Sequence, residues 1–401
     1  MRTRSLAKIA AISFVGALAL AACSNDKKSD SGLGGVSSTS STGGGGNATY
    51  TIAFEGPLSG DNQQLGINEV NAAELAVNQA NAKGDLGFTL KLLKADDVGD
   101  PSKAPAAAAQ VLQDASVMGV VGPSFSGATK AVGTIYGDAG LAMITPSASN
   151  GSLQTLGFKT FHRIIPNDNV EGTQGADWLA RKGLKKVFIV DDQSDYGKGV
   201  ADAVEAELKV KKVAVTRQSV DAKTTDYGAI AQTVKSSGAG ALFYGGYDAQ
   251  AALFAKSLTS VGYPGIKAGG NGVKSSVFTK GSGTAGDGWY FTCGCLDATI
   301  ADNAKQFTAD YTKAYNTPPS TYSPEAFDAT NAFIQAIKAA KGKGAVTRAS
   351  VLAAVNGIDY QGITTDVKFG PDGEPGGETT VSLYTQKAGT IISVGLLKDQ
   401  S

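Results

Sequence analysis

Residues 122–130, with the sequence GPSFSGATK, place small hydroxyl side chains and glycines immediately after an apolar run. The run at 116–121 has the composition of a buried strand, and the Ala-rich segment that ends at Tyr136 is typical of a helix. A helix start offers free backbone N–H groups and the positive end of the helix dipole. The stretch therefore predicts a site for a small negative group: a phosphate, an oxyanion on a serine nucleophile, or a ligand carboxylate.

A serine nucleophile would need a histidine, and the chain contains one, His162. The segment GPSFS nearly matches the Gly-x-Ser-x-Gly nucleophile motif, but Ser126 stands at the position of the second glycine. His162 lies beside Arg163 in a predicted strand, where a packed imidazole is more common than a catalytic one. A surface hydrolase is therefore the weaker alternative, and we expect a protein that is not an enzyme.

Phosphate, acid–base and metal sites find little support in the sequence. It has neither a Gly-Lys-Ser/Thr phosphate loop nor a Gly-x-Gly-x-x-Gly turn after a strand. Asp96 and Asp97 end a predicted strand, where solvated or capping acids are more common than a general acid–base pair. Cys293 and Cys295 with one distant histidine do not make a tetrahedral zinc site, so we expect no metal and no cofactor. Outside the cytoplasm these cysteines weakly favour a local disulfide, with two free thiols on a strand face as the alternative.

Further hydroxyls follow the next predicted strand, where Ser147 and Ser149 lie in the segment TPSAS. Ligands of parallel sheets bind at the carboxyl ends of strands. Two neighbouring strand ends with hydroxyls and free backbone N–H groups suit a carboxylate. For Ser126 and for Ser149, a simple role as the N-cap of a helix is an equal alternative.

The elements that must position these residues alternate between strand and helix from Tyr50 onward. The predicted strands lie at 50–54, 88–97, 117–121, 141–144, 186–190, 212–218, 240–244 and 266–269. The predicted helices lie at 66–82, 102–114, 126–138, 169–182, 197–209, 225–237 and 247–261. A less regular end follows, with helices at 301–315, 324–341 and 348–356 and a hairpin at 379–385 and 390–396. Alternation predicts an α/β fold of parallel sheets covered by helices, and two such series predict two lobes.

The N-terminus has the features of an export signal. A basic start and the apolar segment Ile9–Leu20 precede Cys23, and the sequence LAAC looks like a bacterial lipobox. We expect a signal peptide at 1–22 and a lipid on Cys23, with an ordinary signal peptide and a chance cysteine as the alternative. Residues 23–48 then form a lipidated cysteine and a Ser/Gly-rich tether on the outer face of a membrane.

From Tyr50 almost to its end, the chain resembles the leucine/isoleucine/valine-binding proteins, solute-binding subunits of ABC importers. The resemblance rests on GPLSG, AELAVNQANAKG, KADDVGDP, IYGDAGLAMITPSAS, DYGKGVADAVEAEL, YGGYDAQ and GGNGV in that order. It implies the type I periplasmic binding protein fold, in which two Rossmann-like lobes are joined by three crossovers, here near 166–169, 293–297 and 359–365. The N-terminal lobe would comprise 49–167 plus 297–362, and the C-terminal lobe 168–296 plus 363–401.

The resemblance also implies a function. The protein would capture a branched-chain or related aliphatic amino acid and deliver it to an ABC permease, and a ligand sensor is the alternative within binding proteins. Charges balance at 36 basic and 36 acidic residues, so the chain has no basic excess for nucleic acid.

The family's binding pattern can be carried over by position. Ser126 and Ser149 fall where hydroxyls bind the ligand carboxylate, and Ser147 falls where a backbone carbonyl receives the ammonium. Tyr247 falls where a tyrosine of the second lobe meets the amino acid. The side-chain pocket would be lined by the aromatic residues Tyr196 and Tyr322.

Three positions depart from the family pattern. Leu65 replaces a pocket tyrosine, Gly99 and Phe125 replace a disulfide of some members, and Asn271 replaces the glutamate that pairs with the ammonium. A charge-assisted hydrogen bond contributes about 1.5–3 kcal/mol against ~1 kcal/mol for a neutral one. Either amino-acid binding is weakened roughly tenfold, or the ligand is an amide, a urea-like compound or a plain carboxylate. On the sequence alone, Asn271→Asp is expected to raise the affinity for an α-amino acid.

Overall fold

The structure is a computed structural model that describes residues 47–377 and 379–400. The predicted signal peptide, Cys23 and nearly all of the predicted tether lie outside the described residues. Within the described ranges, no helix combines the length and the hydropathy that a membrane span requires.

The first sheet is built from five parallel strands: β1 Thr49–Gly56, β2 Thr89–Asp96, β3 Val117–Val121, β4 Met143–Thr145 and β5 Phe161–Arg163. Their order across the sheet is β2-β1-β3-β4-β5. The helices between them are α1 Gln63–Lys83, α2 Ala104–Gln113 and α3 Ser126–Asp138, and a 3-10 helix spans Gly151–Thr155. Every residue of β3, β4 and β5 is buried, as expected for strands covered on both faces.

A second run of alternating elements begins with α4 Asp168–Arg181. Its strands are β6 Lys186–Asp191, β7 Ala214–Ser219, β8 Ala241–Gly245, β9 Ile266–Gly269 and β10 Trp289–Cys293. Its further helices are α5 Asp195–Val210, α6 Gly228–Ser236, α7 Asp248–Ser260 and α8 Ser276–Ser282, with 3-10 helices at Asn271–Val273 and Gly283–Gly286. These five strands pair in parallel, which again is the arrangement that the alternation predicts.

The remainder of the chain packs on the first sheet and adds strands to the second. Its helices are α9 Lys305–Tyr315, α10 Ser323–Lys343 and α11 Arg348–Asn356, with 3-10 helices at Asp302–Ala304 and Leu397–Asp399. Its strands are β11 Tyr360–Gln361, β12 Asp366–Val367, β13 Ser382–Lys387 and β14 Thr390–Leu396. Helix α10 packs on α1 and β3, whereas the hairpin of β13 and β14 extends the second sheet to the order β14-β13-β10-β9-β8-β6-β7.

The chain therefore passes between the two sheets at three places: between β5 and α4, between β10 and α9, and between α11 and β13. The crossovers expected near 166–169 and 293–297 overlap the first two passages, and the one near 359–365 falls in the third. The boundaries of the two lobes themselves stay a prediction.

The structure differs from the sequence pattern in several short elements. The pattern missed α8, β10 and the two-residue strands β11 and β12, because runs this short carry little periodicity. It also placed the start of α2 two residues early. Residues 101–103 form a turn in which the Asp100 carboxylate accepts the Ser102 N–H at 2.9 Å, so the helix begins only at Ala104.

Gly119 in β3 allows α10 to lie close to the first sheet. A Cβ atom on Gly119 would lie 2.2 Å from the Cε1 atom of the buried Phe333, so a larger residue would push the helix away. Helix α10 begins directly after Tyr322. This close packing therefore helps to fix Tyr322 relative to the strand ends.

Candidate functional site

A narrow cavity lies where segments following the strands of the two sheets meet. It is lined by Leu65, Glu69, Ser124, Phe125, Ser126, Ser147, Tyr196, Tyr247, Asn271, Gly272 and Tyr322. Seven of the eight predicted ligand residues are in this group. The eighth, Ser149, is fully buried, and its Oγ lies 3.4 Å from Asn271 Nδ2.

The lining residues come from the positions where a parallel sheet presents its ligand-binding edge. On the first sheet, the segments after β3 and β4 supply the serines. On the second sheet, the segments after β6, β8 and β9 supply Tyr196, Tyr247 and Asn271. Leu65 and Glu69, one helical turn apart on α1, and Tyr322 before α10 complete the wall.

Ser126 is the first residue of α3 rather than its N-cap. The N-cap position is Phe125, and no side chain caps this helix. The Ser126 hydroxyl oxygen instead accepts the Asn150 backbone N–H at 3.1 Å, so its own hydrogen remains free to be donated. A free hydroxyl at an uncapped helix start suits a carboxylate.

Ser149 is not an N-cap either. Asn150 is the N-cap of the 3-10 helix that follows, where its side chain accepts the Ser152 N–H. The alternative that Ser126 and Ser149 serve only as N-caps is therefore wrong. Ser147 differs from both, because its hydroxyl donates to the Ser124 carbonyl at 2.7 Å. Its hydrogen is therefore not available to a ligand carboxylate, whereas its oxygen can still accept from a ligand.

Aromatic rings close the cavity on one side. Phe125 of the first sheet stacks on Tyr247 of the second, with ring centroids 4.4 Å apart and an interplanar angle of 22°. The Tyr196 ring lies 5.2 Å from the Tyr247 ring, and its hydroxyl accepts the Gly272 N–H at 2.9 Å. Phe125 and Tyr247 also line a groove outside the cavity. The stacked pair therefore separates the cavity from this groove.

Asn271 is held by a carboxylate behind it. Its backbone N–H and its side-chain Nδ2 both donate to Glu171, at 3.0 and 2.7 Å, and the Thr292 hydroxyl donates to the same carboxylate at 2.7 Å. Because Nδ2 faces Glu171, Oδ1 is the side-chain atom of Asn271 left for other partners. Burial raises the pKa of Glu171, and these hydrogen bonds partly offset that rise.

Asp168, one turn before Glu171 on α4, adds a second buried acid. Neither carboxylate oxygen has a hydrogen-bond partner within the described part of the chain. Burial, and then the charge of Glu171, raise the pKa of Asp168 to about 8, although Ser149 and Arg163 act in the opposite direction. Sequence reasoning missed this pair. Their i, i+3 spacing on α4 is the available signal, because it places both on one helix face.

The histidine that a hydrolase would need does not line the cavity. Both ring nitrogens of His162 are engaged, with Nδ1 3.1 Å from the Thr160 carbonyl and Nε2 2.7 Å from Asn356 Oδ1. His162 contacts neither Ser126 nor any other serine through a hydrogen bond in the described residues, so the geometry of a hydrolase triad is not formed.

The remaining candidates have structural contacts. Asp96 accepts the Leu58 and Val98 N–H groups at 2.9 Å, and Asp97 accepts the Gly99 N–H at 2.8 Å, so both acids hold loops. Cys293 and Cys295 are joined by a disulfide at the end of β10. This bond directly follows Thr292, the residue that donates to Glu171.

Comparison with known proteins identifies the family. The model of the family described as "Periplasmic binding protein" matches residues 49–389. The Leu/Ile/Val-binding protein BraC3 of Rhizobium johnstonii is 29% identical over 349 residues, which is 86% of this chain and 94% of that protein.

Two solved structures have the same fold. The branched-chain amino acid transporter substrate binding protein LivJ of Streptococcus pneumoniae, in complex with isoleucine, matches with a TM-score of 0.78, 25% identity, and coverage of 87% of this chain and 99% of that one. A solute binding protein of an ABC transporter from R. palustris, in complex with benzoate, matches with a TM-score of 0.79, 19% identity, and coverage of 87% and 96%.

These matches confirm the predicted resemblance and the predicted α/β fold class. The family consists of extracytoplasmic solute-binding proteins rather than enzymes, in keeping with a cavity between two sheets. The chain belongs to the periplasmic binding protein family, and its relatives are the Leu/Ile/Val-binding proteins of ABC transporters.

Proposed function

We propose that this protein captures a branched-chain or related aliphatic amino acid outside the cytoplasm and delivers it to an ABC permease. The observation that supports this most is the convergence of Ser126, Ser147, Asn271 and the tyrosines on one cavity. The Ser126 hydroxyl and the uncapped start of α3 suit a carboxylate. Asn271 Oδ1, with acids behind it, suits an ammonium group.

The names of the relatives agree with this ligand class. BraC3 is named for leucine, isoleucine and valine, and the structural neighbour from Streptococcus pneumoniae holds isoleucine. The cavity of the present chain offers Leu65 and the rings of Tyr196 and Tyr322 as an apolar wall for such a side chain.

Ligand capture would proceed by closure of the two predicted lobes. Contacts across the cleft include the Phe125–Tyr247 stack, the 2.7 Å ion pair of Lys130 with Asp195, and a hydrogen bond from Asn150 to the Asp195 carbonyl. The ion pair is half exposed and contributes little by itself. A ligand that contacts both lobes binds the closed state more tightly than the open state, and this difference in affinity favours closure.

The proposal is tested by calorimetric titration of the purified protein with L-leucine, L-isoleucine, L-valine and benzoate. We expect at least one of the three amino acids to bind with a dissociation constant of about 1 µM or lower, which corresponds to about 8 kcal/mol. Binding of benzoate without binding of any amino acid would reject the ligand class. It would favour the second candidate, a carboxylate solute. Two observations support that candidate: Asn271 replaces the family's glutamate, and one structural neighbour binds benzoate.

The membrane anchor is a separate part of the proposal. We propose that residues 1–22 are removed and that Cys23 carries a diacylglyceryl group, because the sequence LAAC follows a basic and then an apolar segment. Cys23→Ala is expected to shift the protein from the membrane to the soluble fraction in cell fractionation. Membrane retention of this variant, together with an N-terminal peptide free of lipid mass in the wild type, would contradict the anchor.

A further inference from the structure

Glu69 is the one acidic side chain among the described residues that line the cavity. It lies on α1, one turn after Leu65, and it is fully buried. Its Oε2 accepts the Ser124 hydroxyl at 2.6 Å, whereas its Oε1 has no hydrogen-bond partner among residues 47–377 and 379–400. A buried carboxylate oxygen without a partner is costly, so a bound molecule that supplies a donor would be favoured.

Contacts place the Glu69 carboxyl group beside the part of the cavity assigned to the ammonium. The Ser124 hydroxyl donates to Glu69, and the Ser147 hydroxyl donates to the Ser124 carbonyl. Glu69 and Ser147 therefore both contact Ser124. An ammonium has three N–H donors. The Ser147 carbonyl, Asn271 Oδ1 and Glu69 Oε1 provide three acceptors, and Glu69 is the one of the three that can become negatively charged.

We propose that Glu69 is the carboxylate that pairs with the ligand's ammonium group and so supplies the charge that Asn271 lacks. This inference rests on the proposed function, because it presupposes a ligand that carries an ammonium group. It assigns a role to a residue on α1, whereas the resemblance places the ammonium-binding carboxylate at position 271.

The number of protons released on ligand binding distinguishes a direct contact of Glu69 with the ammonium from a purely structural role. In the empty protein, burial raises the pKa of Glu69 to about 8, with Ser124 and Ser147 lowering it and Glu325 of α10 and Asp97 after β2 raising it further. The carboxyl is therefore mostly protonated at neutral pH, and a bound ammonium favours its charged form. Binding must then release a proton, and the affinity should rise with pH up to about 8 and level off above it.

The test compares Glu69→Gln with wild type, using L-leucine and its analogue without the amino group, 4-methylpentanoate, as probes. We expect the variant to bind L-leucine at least tenfold more weakly and to bind 4-methylpentanoate no more weakly than wild type does. Titration near neutral pH in two buffers of different ionisation enthalpy should show that wild type releases close to one more proton per L-leucine than the variant.

Glu55→Gln is the matched control. Glu55 is also buried, has a pKa raised by burial to about 8, and keeps one oxygen, Oε1, without a partner in the described residues, but it does not line the cavity. This control should retain wild-type affinity and wild-type proton release. If Glu69→Gln does not fold, Glu69→Asp keeps the charge, and its proton release should then match that of wild type.

Two results would overturn the inference. Equal L-leucine affinity in Glu69→Gln and wild type would show that Glu69 does not contact the ammonium. A weaker affinity with unchanged proton release would show a purely structural role, because Asp168 and Glu171, whose pKa values are also raised, would then account for the protons. Failure of wild type itself to bind any amino acid would instead reject the proposed function.

Discussion

Asn271→Asp is expected to weaken amino-acid binding by about a hundredfold near pH 8, instead of strengthening it as the sequence alone suggests. The change removes the Nδ2 donor that lies 2.7 Å from Glu171 and places a second carboxylate there. Loss of one hydrogen bond to a charged group costs about 1.5–3 kcal/mol, and two carboxylates at this distance repel each other when both are charged. The two expectations differ because the sequence does not reveal which carboxylate lies behind Asn271.

The loss should shrink as the pH falls. At lower pH, a shared proton can replace the amide N–H between the new carboxyl at position 271 and the Glu171 carboxyl, whose pKa is raised by burial. Calorimetric titration at about pH 5 and about pH 8 measures this difference. An affinity that rises at both pH values would mean that Glu171 does not hold position 271.

The double variant Asn271→Asp with Glu171→Gln is the matched control. It exchanges the amide and the carboxylate, so that the new amide at position 171 can donate to the new carboxylate at position 271 and the charge moves toward the cavity. We expect this variant to recover the affinity for L-leucine to the wild-type value or above. If the natural ligand has no ammonium, the double variant should instead bind that ligand more weakly, because it buries an unpaired charge.

Ser126→Ala is expected to weaken binding by roughly ten- to a hundredfold, which corresponds to about 1–3 kcal/mol. The variant lacks the hydroxyl that would be donated to the ligand carboxylate. It also leaves the Asn150 N–H without its acceptor, so the ligand-free protein should melt at a lower temperature as well.

A control separates these two effects of Ser126→Ala. Thr129 lies on the same helix, and its buried hydroxyl donates to the Phe125 carbonyl at 3.0 Å without lining the cavity. Thr129→Ala should lower the melting temperature and leave the affinity within about threefold of wild type. Calorimetric titration beside melting curves gives both quantities. An affinity loss in Ser126→Ala no larger than that in Thr129→Ala would contradict the carboxylate site.

Much of the cavity could be predicted from the sequence, because its geometry follows a general rule for parallel sheets. The hydroxyls Ser126, Ser147 and Ser149 were identified from their positions after predicted strands. Tyr196, Tyr247, Asn271, Tyr322 and Leu65 were identified only through the family resemblance. The structure brings all eight together, although their ligand contacts stay predictions.

The sequence did not reveal the buried carboxylates near the cavity or the position of the Phe125 ring. Glu69 and Glu171 lie on helices that follow or precede strands, where a carboxylate is normally assigned to the solvent face. Which carboxylates are buried depends on how helices pack on the sheets, and no local pattern reports that. Phe125 was noted only as a departure from the family, whereas the structure stacks it on Tyr247 across the cleft.

The most direct measurement is mass spectrometry of the small molecule released when protein purified from its own cells is denatured. We expect the cavity to hold a zwitterion by its carboxylate at Ser126 and by its ammonium near Glu69 and Asn271. The released molecule should then be an α-amino acid with a small aliphatic side chain. Release of a carboxylate or an amide without an α-amino group would contradict it.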